Sequence, residues 1–342
     1  MLDDLKLIHE RDAQDALGIT EKSWQQLDFR FPISDFRLPG DINDIVCAGM
    51  GGSALAAQIS LSWPGYDKPF EIVRGYDIPA YVSSQTLFIS SSYSGNTEEA
   101  ISALHQAEAK EAQIVVITSG GKLADIARQK GYPMAEIPAG LQPRHAVFYM
   151  FKATIDILQK ASLLTKDAGE LAQTAMWLKD QVATWSPTVP TKNNPAKQIA
   201  QECIGKSVVV YAGPKLYPAA YKWKISFNEN AKQIAWVNQF PEFNHNEFLG
   251  WTKQPVSKPY AVIDLRSNQE NERVQKRFEV TERLLSGMRP APLIVQAEGK
   301  SLLEQLLWTI QLGDFVTLYT AILNGLNPTP VDLIEKFKKE LE

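Results

Sequence analysis

Along the chain, short apolar runs bounded by glycines and hydroxyl-bearing residues alternate with stretches in which apolar positions return every three or four residues. Ile45-Val46-Cys47-Ala48 and Leu87-Phe88-Ile89-Ser90 each predict a buried strand, and Ile114-Val115-Val116-Ile117-Thr118 and a short piece from Met134 to Ile137 predict two more. Helical patterns such as Lys122-Leu123-Ala124-Asp125-Ile126-Ala127 fall between them. Strand and helix in this alternation predict an α/β fold built on a right-handed, doubly wound parallel sheet. A helix from about Ala146 to Ser162 closes the unit, and another from about Asp167 to Trp185 opens the next. The prolines of Ser186-Pro187-Thr188-Val189-Pro190 and Asn193-Asn194-Pro195 stop that second helix. The domain boundary is therefore expected near residue 165, giving domains 1–164 and 165–342. The second half repeats the plan, with strands expected at Ser207–Gly213, Tyr260–Asp264 and Leu293–Val295.

Two loops of the first half carry candidate chemistry. Gly49-Met50-Gly51-Gly52-Ser53-Ala54 and Ser92-Tyr93-Ser94-Gly95-Asn96-Thr97-Glu98-Glu99 each follow a predicted strand and lead into a helix, which places both at carboxyl ends of strands. Helix N-termini there turn unpaired N–H groups outward, so an anion gains from free donors and from the helix dipole. Ser92, Ser94 and Thr97 add hydroxyl donors that a bare glycine loop lacks. The first loop also satisfies the dinucleotide pattern G-x-G-x-x-A, and Glu71, Arg74 and Asp77 stand near the place of a ribose-binding acid. A dinucleotide fold, however, has no use for the second loop. Helix capping by Thr97 would account for one hydroxyl and leave two unexplained. In the second half the matching loop, Ala212-Gly213-Pro214-Lys215, lacks the glycine and serine run, which suggests two like folds with a phosphate seat kept in one.

Composition narrows the classes. The chain has 342 residues, enough for two domains, and a formal net charge of −4, which argues against a nucleic-acid binder held by broad phosphate neutralisation. No apolar run approaches the roughly 20 residues of a membrane span, and the first residues lack the order of a signal peptide, so a cytoplasmic protein without a membrane partner is expected. Cys47 and Cys203 form no disulfide framework. With four histidines and neither HExxH nor CxxC, no metal site and no cofactor are expected.

These residues carry a family resemblance. The loops Gly49–Ala54 and Ser91–Ala100 resemble those of the sugar isomerase (SIS) domain, and Phe227–Trp251 resembles the bifunctional phosphoglucose/phosphomannose isomerases of archaea and bacteria. Gln142-Pro143-Arg144 and the helix after Pro328-Thr329-Pro330 fit the same family, and the match runs over nearly the whole chain. The resemblance implies two flavodoxin-like SIS domains of three αβα layers plus a C-terminal helix. It implies an aldose-ketose isomerase that interconverts glucose 6-phosphate or mannose 6-phosphate with fructose 6-phosphate without a metal, as a homodimer whose active sites are shared between subunits.

By the same resemblance Gly51, Gly52, Ser53, Ser92, Ser94 and Thr97 hold the phosphate, and Glu229 moves a proton between C2 and C1. Such chemistry asks for a carboxylate whose two oxygens reach adjacent carbons in a dry site. An ordinary solvated glutamate is the alternative for Glu229. His245 is implied as the ring-opening group lent to the neighbouring subunit, a role for which histidine's titration near neutrality is suited. His145, beside Arg144, either approaches the site or caps a helix. Arg144 is implied as the cation beside the enediolate, against a plain helix-start arginine. Leu333, Ile334, Phe337 and Leu341 share one helical face and Lys338 borders it, so Lys338 is assigned as the family's inward lysine, with snorkelling as the alternative. Thr329 is placed near the sugar by resemblance, but it also reads as an N-cap ahead of Pro330. Three other functions remain open: a sugar-phosphate-binding regulator without catalysis, an amino-sugar enzyme of the same domain, and a dinucleotide enzyme, which failure to bind a nicotinamide cofactor would remove. Glu229, His245 and Arg144 together count against the first, and the His-Asn-Glu loop counts against the second.

Overall fold

The structure, a computed structural model, describes residues 1–33, 41–164, 169–253 and 259–341. By contacts these residues divide into two compact units, Ser23–Trp177 and a second made of Met1–Lys22 with Leu178–Glu342. The boundary expected near residue 165, and the expected helix start at Asp167, lie outside the described residues.

Two short helices, α1 (Leu5–Arg11) and α2 (Ala16–Glu21), come first. They belong with the distant half of the chain for a specific reason. Asp3 Oδ1 accepts hydrogen bonds from the Thr191 amide (2.8 Å), the Thr191 hydroxyl (2.8 Å) and Lys197 Nζ (3.2 Å), and Gln311 Nε2 donates to the Thr20 carbonyl (2.7 Å).

Within Ser23–Trp177 the chain runs β1 (Asp44–Ala48), α3 (Gly51–Ser62), β2 (Phe70–Val73), β3 (Thr86–Ser92), α4 (Glu98–Ala109), β4 (Gln113–Thr118), α5 (Gly121–Lys130), β5 (Met134–Glu136) and α6 (Val147–Lys160). All the strands are parallel, in the order β2-β1-β3-β4-β5, the flavodoxin-like arrangement. Flanking helices give an αβα sandwich. The central strands are apolar throughout because both faces are covered: every residue of β3 is buried, as are all of β1 but Asp44. The edge strand β2 was not among the expected strands, and its exposed positions show why its apolar signal is weak.

α7 (Glu170–Ala183) contains the division between units. The second unit continues with α8 (Pro195–Cys203), β6 (Ser207–Ala212), α9 (Tyr217–Glu229), β7 (Ala235–Gln239), α10 (Glu247–Gly250), β8 (Tyr260–Arg266), α11 (Glu272–Leu284), β9 (Leu293–Gln296), α12 (Leu302–Leu323) and α13 (Asp332–Leu341). Its four strands are also parallel, in the order β7-β6-β8-β9, so β6, β7, β8 and β9 repeat the places of β1, β2, β3 and β4.

α12 corrects one expectation. Leu302–Leu323 is long and apolar enough to cross a membrane, but 94% of its most apolar window is buried inside the protein, where it serves as a core helix. α9 packs along it closely enough that a Cβ on Gly313 would stand 2.2 Å from Trp223 Nε1. Polar side chains fix the pair in register. Trp223 Nε1 donates to the Thr309 carbonyl (2.7 Å), Asn230 Nδ2 to Thr317 Oγ1 (3.0 Å), and between them lies a buried ion pair of Lys222 and Asp314 that Ser226 bridges at 2.7 and 2.9 Å.

Both thiols are buried, Cys47 in β1 and Cys203 at the end of α8, and burial pushes each up to about 12. They pair with nothing and are poor nucleophiles in that state.

Candidate active site

The first unit gathers the loops after β1 and β3 at the carboxyl edge of its sheet. The geometry is one that only glycine permits at two points. Gly95 has φ +70°, and a Cβ there would stand 1.7 Å from the Gly120 carbonyl oxygen; Gly121 has φ +67°, and its Cβ would meet the Ser94 carbonyl oxygen at 2.5 Å. The hydroxyl loop thus lies directly on the Gly120-Gly121 turn that starts α5. Asn96 Oδ1 accepts from the Lys122 amide (3.1 Å) and Ser119 Oγ donates to the Tyr93 carbonyl (2.6 Å), which secures the contact.

The four candidate hydroxyls divide into two pairs. Ser53 and Ser92 are buried and shape the loops: Ser53 Oγ accepts from the Tyr93 amide (3.2 Å), joining the first loop to the second, and Ser92 Oγ accepts from the Gly95 amide (3.1 Å) while bonding Thr97 Oγ1 (2.8 Å). Ser94 is exposed, Thr97 half-buried, and Ser94 Oγ accepts weakly from the Asn96 amide (3.3 Å). Thr97 occupies the N-cap position of α4, but its side chain makes no capping bond, so capping does not explain its hydroxyl. Nor does any side chain cap α3, where Met50 stands at the N-cap and Gly51 and Gly52 begin the helix. Two neighbouring helix starts therefore lack the side-chain oxygen that normally accepts from first-turn amides, and helix N-termini are a favourable setting for an anion.

Arg144 is part of the same unit and is buried in a short 3₁₀ turn, Pro143–His145. That turn rests on the first loop, since a Cβ on Gly52 would stand 3.0 Å from the Pro143 carbonyl oxygen. Arg144 is thus no surface arginine. His145 is buried too, and its carbonyl accepts from Gln26 Nε2 (2.8 Å). Sequence reasoning missed Tyr93, whose hydroxyl donates to the Pro138 carbonyl (2.8 Å) and accepts from the Leu141 amide (3.0 Å), tying the hydroxyl loop to the segment that leads to Arg144.

The counterpart loops of the second unit are arranged differently. Glu270, between β8 and α11, occupies the position in the sheet plan that the hydroxyl loop holds between β3 and α4. Its buried carboxylate accepts from the amides of Lys215 (2.7 Å) and Leu216 (3.3 Å), and a Cβ on Gly213 would stand 2.4 Å from its Cδ. Burial raises its pKa, and the amide donors oppose that rise. Here the protein's own carboxylate takes up the amide donors.

Glu229 is the last residue of α9 and is half-buried. A negative side chain at a helix C-terminus opposes the helix dipole, so local electrostatics does not favour an acid there. Its neighbours are pinned: Asn228 Nδ2 donates to the Gln233 carbonyl (2.9 Å), and Asn230 is buried against Thr317. His245 is exposed at the end of the 3₁₀ turn Glu242–His245, yet the residues around it are anchored. Asn244 bonds Thr281 (2.9 Å) and Arg277 (3.1 Å) on α11. Glu247 accepts from Asn238 Nδ2 (2.7 Å) and from the buried Tyr211 hydroxyl, which burial keeps protonated far above its ordinary range. The loop is a rigid mount that turns its histidine outward.

The C-terminal expectations need revision. α13 begins at Asp332, three residues after Thr329, so Thr329 and Pro330 lie in the connecting loop and Thr329 does not cap the helix. α13 buries no residue; Leu333, Ile334, Phe337 and Leu341 are exposed, and Lys338 Nζ bonds Glu335 at 3.0 Å instead of turning inward over that face. Among the described residues no group of three or more His, Cys, Asp or Glu side chains is placed to hold a metal ion.

Residues 192–341 match the family model described as the bacterial phospho-glucose isomerase C-terminal SIS domain. The chain is 36% identical over 307 residues to a bifunctional phosphoglucose/phosphomannose isomerase of Caldicellulosiruptor bescii, covering 88% of this chain and 90% of that one. It is 36% identical over 304 residues to the enzyme of the same name from Thermoplasma volcanium, covering 88% and 92%. A glucose-6-phosphate isomerase like protein from Thermus thermophilus shares the fold, with a TM-score of 0.69 at 17% identity over 99% of this chain and 98% of that one. Identity at this level over nearly full length, together with the two parallel-sheet units and the loops described above, shows that the chain belongs to the bifunctional phosphoglucose/phosphomannose isomerase family.

Proposed function

We propose that the protein interconverts glucose 6-phosphate and mannose 6-phosphate with fructose 6-phosphate through an enediolate. The observation that carries this most is the coexistence of two kinds of element in a chain of this family. The first unit has neighbouring uncapped helix starts lined with hydroxyls, and the second has a half-buried glutamate held at the end of α9 against the helix dipole. A non-catalytic sugar-phosphate regulator needs only the first.

In this proposal Gly51, Gly52, Ser53, Ser92, Ser94 and Thr97 form the phosphate seat, with amide donors from the starts of α3 and α4. Ser92 and Ser53 act chiefly by shaping it. His245 moves the proton of the anomeric hydroxyl to the ring oxygen, opening the hexose. The Glu229 carboxylate then takes the C2 proton; the C2–H electron pair forms the C1–C2 double bond, and the former carbonyl oxygen becomes the enediolate oxygen. Transfer of the O2 proton to O1, with return of the proton from Glu229 to C1, then gives the ketose. Arg144 is the fixed positive charge assigned to the enediolate, where a preorganised cation lowers the transition state more than the ground state. Thr329 is assigned a place near the sugar. Lys338 is the second ring-opening group, a role that requires it to leave Glu335. We assign the working form to a homodimer; His245 turned outward on an anchored loop and the exposed apolar face of α13 both suit a second copy. A cytoplasmic setting suits a phosphorylated substrate and buried, reduced thiols.

None of these steps uses a metal. Fructose 6-phosphate incubated with EDTA-treated protein should yield both glucose 6-phosphate and mannose 6-phosphate by NMR. Absence of both aldoses would overturn the isomerase assignment, and appearance of glucose 6-phosphate alone would overturn its bifunctional part.

A further inference from the structure

We propose that Lys232 is a positioning residue for the reaction, gripping at once the end of α9 that carries Glu229 and the connection that carries Thr329. Its Nζ lies 2.9 Å from the Glu229 carbonyl oxygen, 3.3 Å from that of Asn230, 3.2 Å from that of Asn327 and 2.9 Å from that of Pro328. Two segments almost a hundred residues apart in sequence meet on one ammonium group.

The backbone is shaped to allow this. Lys232 has φ +51°, the left-handed region, which is uncommon for a residue with a side chain. That reversal folds the side chain back under the end of α9, where the last carbonyls of a helix have no intrahelical donors. An ammonium has three N–H groups, so four carbonyls at these distances share them. Its charge also offsets the negative end of the helix dipole at the place where Glu229 adds a further negative charge. The same grip holds Pro328 next to Thr329, at the root of the loop from which α13 emerges. Asn327 Oδ1 accepting from the Thr329 amide (3.1 Å) and Asn324 Nδ2 donating to Gln233 Oε1 (3.4 Å) continue the connection on either side. Lys232 is an exposed residue and the four carbonyl oxygens are gathered on one ammonium, so the site they form should accept a free ammonium from solution as well as the tethered one.

The catalytic consequence rests on the proposed role of Glu229, and the clamp itself does not. Lys232→Met keeps the length and apolar bulk of the side chain and removes the charge. Hydrogen exchange read by mass spectrometry should rise in the peptides spanning 226–234 and 324–332 and stay at the wild-type level in the first unit. With fructose 6-phosphate, kcat should fall by about 10- to 100-fold, the scale of a reacting group misplaced by an ångström or less, and KM should change less than about twofold. In Lys232→Ala, n-propylammonium, which restores the missing length and charge, should recover much of the lost kcat. Wild-type exchange in both peptides would overturn the clamp. Raised exchange with wild-type kcat, or a loss that n-propylammonium does not touch, would overturn its part in positioning. Full activity in Glu229→Gln would instead overturn the assigned base and leave the clamp standing on the exchange result.

Discussion

Replacement of Glu229 by glutamine is expected to lower kcat for fructose 6-phosphate by about 10²- to 10⁴-fold, the contribution usual for a positioned general base. Glutamine keeps the shape and loses the ability to take a proton from carbon. Because the phosphate seat is assigned to the first unit, KM should hold within a few-fold, and the effect should fall almost wholly on kcat. Glu229 is half-buried at the end of α9, with Asn230 and Lys232 holding the backbone on its C-terminal side, so the substitution should leave the melting temperature nearly unchanged. Glu229→Asp, which withdraws the carboxylate by one methylene, should retain more activity than Glu229→Gln. Steady-state kinetics of the three proteins, with melting curves alongside, checks this; wild-type turnover in Glu229→Gln would remove the residue from the chemistry.

The largest effect on stability is expected at Asp314→Ala. Asp314 on α12 receives Lys222 and Ser226 from α9, and the Lys222 side chain is only 1% exposed. A buried pair of this kind adds little net stability over apolar residues of the same volume, because both charges had to leave water. Removing one partner is different: the ammonium stays buried with Ser226 alone, at a cost of about 3–5 kcal/mol. Lys222→Met combined with Asp314→Leu should recover most of that loss, since no charge is then left behind. Urea denaturation of the single and double variants measures it. Equal losses in both would mean that packing between the helices, not the orphaned charge, sets the cost.

The strands that sequence patterning found are those buried on both faces, β1, β3, β4, β6 and β8, whose continuous apolar runs leave little ambiguity. β5 and β9 were also expected, from shorter signals. β2 and β7 escaped because each lies at a sheet edge with alternating or exposed positions, Glu71 and Trp236 among them. α12 escaped for the opposite reason: apolar nearly all round, it has no polar face to give a helical period. The packing of Met1–Lys22 on the second unit depends on contacts such as Asp3 with Lys197, which join residues too far apart in sequence for local patterning to register.

At the candidate site, the two loops stood out because glycine and hydroxyl residues at strand-to-helix turns have few purposes, whereas Arg144 entered only through resemblance. Glu229 and His245 were legible only through resemblance, since one glutamate at a helix end has no local signature. Tyr93, Glu270 and Lys232 were not legible at all. Their significance lies in which backbone groups they meet: the Pro138 carbonyl, the Lys215 and Leu216 amides, and the carbonyls of residues 229, 230, 327 and 328. The helical face that Lys338 borders is present in α13 but exposed, and periodicity by itself does not fix where the lysine points; here it meets Glu335.

The central claim is proton transfer at carbon by a protein carboxylate, and deuterium tests it most directly. Fructose 6-phosphate turned over in deuterated water with EDTA should give glucose and mannose 6-phosphates carrying deuterium at C2, and recovered fructose 6-phosphate should carry it at C1, because an enediolate exchanges with solvent through the base that formed it. Glu229→Gln should show neither label over the same period. Products formed by the wild-type protein with no deuterium at C2, even after many turnovers, would contradict the enediolate route.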